Sequence, residues 1–127
     1  MEVVASSAAF SDSVLKNKQI SAKVQAIDTD IVCTAFADKT FIIVTQLGKI
    51  GGLILVTKDN VVGDCKEPTF SVRVLLGKDD AVHCVIARRI AAVTGLEKPV
   101  LVALALKDTS VATARELEEL VRTCSVW

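Results

Sequence analysis

Residues 69–107, TFSVRVLLGKDDAVHCVIARRIAAVTGLEKPVLVALALK, are the stretch whose reading decides the fold. Its first eight residues alternate, with Phe70, Val72 and Val74 on one side and Ser71 and Arg73 on the other. That period of two marks a half-buried strand. Gly77-Lys78-Asp79-Asp80 breaks the alternation, and Asp79 or Asp80 supplies a carboxylate able to accept the free amide hydrogens of a helix start. Val82, Val85, Ile86, Ile90 and Val93 then recur at three-four spacing, interrupted by Arg89, until Gly95, which predicts a helix. Beyond Pro99, residues 100–107 read as another strand, apolar at nearly every position.

Upstream, Ile20, Ala22, Val24 and Ala26 alternate with Ser21, Lys23 and Gln25, a strand by the same criterion. Asp28-Thr29-Asp30 reads as a turn before a second strand at 31–37, and Asp38-Lys39 as a turn before a third at 40–47. Gly48-Lys49-Ile50-Gly51-Gly52 predicts a glycine-rich hairpin leading into a fourth strand at 53–57. Downstream, Asp108-Thr109-Ser110 precedes a second helix with the stripe Ala114, Leu117, Leu120, Val121 and Cys124. Glu118 and Arg122 sit four apart on its expected solvent side. The element order βββββαβα defines an α+β fold, a largely antiparallel six-stranded sheet with two helices. Residues 1–19, rich in Ala, Ser and Val without a sustained period, are expected to form a disordered tail, and 20–127 a single domain. The polar stretch 58–68 is expected to be an exposed loop.

Three strands carry an apolar surplus: Phe41 to Val44, Leu53 to Val56 and Val100 to Ala103. Strands of this kind expect cover on both faces. Two helices can cover one face of a six-stranded sheet, so either the sheet folds over itself as a sandwich or its second face meets another subunit.

Composition narrows the function classes. The chain has 127 residues, enough for one core and too few for two ordinary domains. Hydrophobic residues make up 51%, which excludes disorder over most of the length. Fifteen basic residues balance fifteen acidic ones, and only five aromatics are present, so neither the basic excess nor the stacking platform of a nucleic-acid binder is found. No apolar run approaches a membrane span, and the N-terminus lacks the positive region of a secretory signal. Cys33, Cys65, Cys84 and Cys124 are widely spaced without a C-x-x-C pair, and read as reduced thiols of a cytoplasmic protein.

No reactive constellation emerges. His83 and Cys84 are adjacent on a helix, about 100° apart, and do not face each other as a base and thiol must. The four cysteines lack the close pairs of structural zinc sites, so no metal or other cofactor is expected. The segment 48–52 is followed by a strand rather than the helix N-terminus a phosphate loop requires. Arg88-Arg89 and Glu116, Glu118 and Glu119 read as solvated helix faces. Trp127 at the very end is expected to fold back onto the domain.

Five segments carry a resemblance. Residues 31–36 (IVCTAF), 44–51 (VTQLGKIG), 72–80 (VRVLLGKDD), 102–108 (VALALKD) and 120–127 (LVRTCSVW) together resemble the proteasome assembly chaperone 3 family, in that family's order and over residues 20–127. The resemblance implies an antiparallel sheet packed with two helices. It also implies a non-enzymatic chaperone that promotes formation of the 20S proteasome α-ring and leaves before maturation. The implied partners are a proteasome assembly chaperone 4-like protein, 20S α-subunits and, in isolation, a second copy as a homodimer. Nucleic acid and membrane are not among them. Under this reading the apolar sheet surface pairs with the sister chaperone, and the loop residues Lys58, Asp59, Asn60, Asp64, Lys66 and Glu67 touch α-subunits. Two other readings share the size and element content: a roadblock- or profilin-like scaffold subunit of a cytoskeletal or trafficking complex, and a small thiol-dependent enzyme.

Overall fold

The computed structural model describes residues 16–59, 69–77 and 79–127. In chain order the elements are β1 (Lys16–Val24), β2 (Ile27–Ala35), β3 (Thr40–Thr45), β4 (Gly52–Lys58), β5 (Phe70–Leu76), α1 (Ala81–Ala92), β6 (Val100–Ala105) and α2 (Val111–Thr123). This is the order βββββαβα expected from the sequence. All six strands lie in one sheet, ordered β1-β2-β3-β6-β4-β5, and no second sheet layer occurs among the described residues. The sheet is mixed: β3 and β6 run parallel, and the other four neighbouring pairs are antiparallel.

One connection differs from expectation. β3 and β4 are not a hairpin, because β6 lies between them, paired to β3 on one side and β4 on the other. The glycine segment is therefore a crossing, and at Gly51 only glycine fits. Its φ is +69°, and a Cβ there would lie 2.4 Å from the carbonyl oxygen of Leu104 on the inserted strand. The other difference is the first turn. β1 begins at Lys16, ahead of Ile20, and the chain reverses at Gln25-Ala26, whose φ values are +50° and +66°. A two-residue loop with both central residues left-handed matches the twist of the flanking strands. Asp28, Thr29 and Asp30 belong to β2, where Thr29 is buried and both aspartates are exposed. Of the expected tail, residues 1–15 lie outside the described residues.

Both helices pack on the same face of the sheet. α1 lies over β6, β4 and β5, α2 over β1 and β2, and the helices touch each other. Ile20, Ile31, Ile42, Val44, Val56, Val100, Val102 and Leu104 rise from the sheet into this core. α2 buries the whole stripe expected of it, Ala114, Leu117, Leu120, Val121 and Cys124. α1 is rotated from expectation: it buries Ile86, Ala87, Ile90 and Ala91, while Val82 and Val85 are exposed. Small alanines let this helix sit close to the sheet, and burying them costs no side-chain entropy. Asp80 caps α1 by accepting from the amide of Val82, and Ser110 caps α2 by accepting from that of Thr113. Trp127 and Val126 pack back against the core.

A buried amide joins three parts of the fold. Gln46, just past β3, accepts from the backbone amides of Lys107 and Asp108 and donates to the Thr29 hydroxyl. The turn after β6 is thereby fixed to β2 and β3 through a side chain that is itself buried and fully partnered.

Candidate interaction surfaces

Among the described residues the opposite sheet face carries no helix. The alternation that points Ile31, Ile42 and Val102 into the core turns Val32, Ile43 and Leu101 outward, and these are half-buried rather than covered. Register places them in rows. One row reads Gln19, Val32, Ile43, Ala103 and Leu53 across β1, β2, β3, β6 and β4. The next reads Asn17, Thr34, Phe41, Leu101, Leu55 and Arg73 across all six strands. The centre is thus apolar and the outer strands polar, with Ser21, Asp30 and Ser71 completing the rim. An apolar middle within a polar rim is the anatomy of a protein–protein interface. The three strands with the apolar surplus, β3, β6 and β4, are consecutive in the sheet, so their second faces fuse into one patch.

A second concavity lies on the helix side. A groove of about 890 Å³ runs beside β1 and α2, with Ser21 to Val24 on the strand and Arg115, Glu116, Glu119 and Leu120 on the helix. At one end the Glu116 carboxylate accepts from the Gln25 side chain at 2.9 Å and from its backbone amide at 3.2 Å. At the other, Lys18 Nζ donates to the carbonyl of Thr123 at 2.8 Å.

The loop expected to touch partners is described only at its base. Lys58 is exposed at the end of β4. Asp59 is occupied within its own chain: its amide donates to the Thr69 carbonyl, and its carboxylate accepts from the hydroxyls of Ser71 at 2.9 Å and Thr69 at 3.2 Å. Those bonds hold together the two ends of the connection. Asn60, Asp64, Cys65, Lys66 and Glu67 lie outside the described residues.

The titratable groups are engaged structurally. His83 Nδ1 sits 3.0 Å from the Asp80 carboxylate, one turn back on α1, and is turned to that cap. Cys84 lies 3.9 Å from Asp79, and partial burial followed by that nearby charge pushes its thiol above the ordinary value, opposite to what a nucleophile needs. Cys33 and Cys124 meet in the core where β2 passes the end of α2. Cys124 Sγ donates to the Lys18 carbonyl at 3.1 Å. Cys33 donates to Cys124, and this bond, reinforced by burial, drives the Cys33 thiol strongly upward. Among the described residues no group of three or more His, Cys, Asp and Glu side chains is placed to hold a metal ion. No described helix is long and apolar enough to cross a membrane.

Two helix-face expectations are corrected. Glu118 does not pair with Arg122 on the solvent side. It receives a bidentate contact from Arg89 of α1, at 2.8 and 3.3 Å, while Arg122 pairs with Glu119 at 2.6 Å. Arg88 lies over the Phe70 ring, 5.2 Å from its centre, and so ties α1 to β5. Neither arginine is a loose surface charge. Pairings across elements 29 residues apart leave no local trace in the sequence.

An apolar sheet face framed by polar strands, with ionisable groups engaged in caps and interhelix contacts, defines a protein-binding module. Comparison with known proteins gives its family. The family model for proteasome assembly chaperone 3 matches residues 42–124. Proteasome assembly chaperone 3 of Bos taurus is 38% identical over 117 residues, spanning 90% of this chain and 96% of the relative. That of Homo sapiens is 36% identical over 114 residues, 87% of this chain and 93% of the relative. In fold the chain is similar to a subunit in the crystal structure of a chaperone complex for yeast 20S proteasome assembly. The TM-score there is 0.68 at 13% identity, over 86% of this chain and 98% of that one. The chain belongs to the proteasome assembly chaperone 3 family.

Proposed function

We propose that this chain is a non-enzymatic cytoplasmic chaperone that pairs with a sister chaperone resembling proteasome assembly chaperone 4. The pair promotes formation of the 20S proteasome α-ring by holding α-subunits, and departs before maturation. The observation that carries the pairing is the apolar sheet face centred on Ile43 and Leu101, which no described helix covers. Six strands at about 4.8 Å spacing make a face roughly 24 Å wide. A standard interface of about 800 Å² per partner is of similar breadth, so one partner of this size covers the patch. In the isolated protein a second copy takes the same face, giving a homodimer.

Contact with α-subunits is assigned to Lys58 and the connection that follows it, with Asp59, Asn60, Asp64, Lys66 and Glu67. A chaperone that must leave binds best through a modest, polar surface, and the apolar face is reserved for the lasting partner. Asp59 serves by fixing where the connection starts and ends. The test is mild-salt affinity purification of the tagged chain from its own cells, read by mass spectrometry. Recovery of a sister chaperone and α-subunits with few mature β-subunits is expected. An eluate with a stable complex free of proteasome subunits would overturn the reading.

A further inference from the structure

We infer that the cleft between the first turns of α1 and α2 is the docking site for one bulky apolar side chain, a leucine, methionine or phenylalanine, of the α-subunit that the chaperone pair holds. The inference rests on the α-subunit reading proposed above and adds to it an apolar anchor on the helix side of the sheet.

Exposed apolar side chains are not scattered over this protein. Among the described residues every large one lies at one end of the sheet, where β3, β5 and β6 finish and β4 begins. Leu47 and Ile50 sit in the crossing, and Leu75 and Leu76 close β5. Val82 and Val85 stand on the first two turns of α1, and Val111 opens α2, at 46%, 56% and 62% exposure. Single exposed valines need no explanation, whereas a cluster does. α1 also has an unusual sequence for a surface helix. Its residues, AVHCVIARRIAA, include no acid, and apolar side chains point away from the sheet as well as toward it. A helix apolar on both sides is normally one that is covered. α2 is not of that kind, since its outer side carries Arg115, Glu119 and Arg122.

The three valines surround a cavity of about 240 Å³ between the helices. Buried Ile86 and Ala114 line its interior, and Arg89, held by Glu118, lies along it. The Ser110 hydroxyl is engaged with Asp108 and Thr113, and Thr109 is exposed to water. The cavity therefore offers packing to an apolar occupant rather than hydrogen bonds. Its volume lies below the roughly 300–1,000 Å³ of small-molecule pockets and suits a single side chain. One side chain seated in a pocket, ringed by contacts that exclude water, is how a few residues come to dominate an interface.

Position and size choose the occupant. Both helices lie on the face opposite to the open sheet surface, so a sister chaperone on that surface leaves the cleft free. Residues 1–15 and 60–68 connect to the described chain at the far end of the sheet, away from the cleft. Three half-exposed valines around one cleft fall well short of the about 800 Å² per partner that a lasting interface buries. Such a surface fits a partner that is held and then released, which in the proposed function is the α-subunit. α1 also leads to the other contact assigned to that partner. Arg88, in the second half of the helix, lies over Phe70, the register partner of Lys58. A helix of this length spans about 18 Å, so one α-subunit lying along α1 reaches both the cleft and the base of the connection.

The test immobilises the full chain paired with its sister chaperone and passes purified 20S α-subunits over it singly, with affinity read by biolayer interferometry. Val82→Glu combined with Val111→Glu is expected to weaken the bound α-subunit by about tenfold or more. Each change puts an acid in the first turn of a helix, where the dipole favours it, and replaces valine with a better helix former, so the fold is retained. Ala81→Leu fills the cleft from within without adding charge and is expected to weaken binding equally at low and high salt. Pairing with the sister chaperone is expected to be unchanged in all of these variants. Methyl resonances of Val82, Val85 and Val111 are expected to shift when the α-subunit is added to the pair, and those of Val32 and Ile43 to stay in place. Parent-like binding by the cleft variants while Lys58→Glu weakens it would overturn the cleft and leave the α-subunit reading standing. A parent pair that binds no α-subunit would overturn both. Loss of sister pairing in the cleft variants would assign the cleft to the sister chaperone instead, and self-association of the parent pair that they abolish would assign it to a second copy.

Discussion

Replacing Ile43 with lysine separates stability from association. Ile43 lies near the middle of the open face, in register with Val32 on one side and Ala103 on the other. In the free chain it is half-buried, so an ammonium on a four-carbon stem reaches water from there. The cost to folding is then mainly lower strand preference, about 1 kcal/mol or less. Under a partner that exit is closed. Fully burying an isoleucine is worth about 1.5–3 kcal/mol, and about half of that remains to be gained at a half-covered site, close to 1 kcal/mol. An unpaired buried charge adds several kcal/mol before relaxation, of which we take about 2 as the low end. The sum of about 3 kcal/mol corresponds to a sister-chaperone complex weaker by more than about 100-fold. Sedimentation velocity of the mixed chains gives the affinity, and urea denaturation of the variant alone gives the folding cost. Val85→Lys, on the exposed outer side of α1, serves as a control that leaves pairing unchanged. A folded Ile43→Lys chain that pairs as tightly as the parent would refute the placement of the partner on this face.

Other outcomes follow from the contacts. Gly51→Ala and Gly48→Ala share a left-handed φ and its cost of about 1–2 kcal/mol, but only at Gly51 does the new methyl meet backbone, adding about 1–3 kcal/mol; equal denaturation midpoints would contradict the close crossing. Thr113 and Ser110 donate to the Asp108 carboxylate and hold it below the ordinary carboxylate value. Its stabilising effect is therefore present above the unfolded value and lost as pH falls through the lower folded one, so Asp108→Asn is less stable at pH 7 and the gap closes in strong acid. A double-mutant cycle on Arg89 and Glu118, with side chains 34% and 19% exposed, should give a coupling of about 1 kcal/mol; a value within error of zero would remove the clasp between the helices. Cys33 and Cys124, both fully buried, should react with a thiol reagent only at the rate of unfolding, and fast native-state labelling of either would reopen the thiol-enzyme reading.

Much of this was legible from pattern. Alternation located the strands, and the stripe of α2 was complete down to Cys124, because a two-sided element writes its burial into its own period. The surplus on β3, β4 and β6 correctly implied a second apolar surface. What failed was long-range. Gly48 to Gly52 carries every local mark of a hairpin, and nothing within it tells that β6, fifty residues later, will separate the strands it joins. The turn at Gln25-Ala26 had no glycine or asparagine to announce it, while Asp28-Thr29-Asp30 imitated one. In α1 the valines outweighed the alanines by hydropathy, yet close approach to the sheet selected the smaller side chains. The groove beside β1 joins residues about 90 positions apart, and pairing of that kind is decided by topology rather than by neighbours.

The insertion of β6 has a consequence for how the chain is made. Without residues 100–105 the sheet order leaves only β1-β2-β3 and β4-β5 as hydrogen-bonded groups, each with the edge that β6 occupies left open. The final strand is the wedge that fuses them, and Gln46 then locks its exit. A nascent chain halted before that point holds two sticky edges with no native partner, a state prone to wrong pairings. Correct pairing of both half-sheets thus waits on a strand that lies downstream of all the others in the chain.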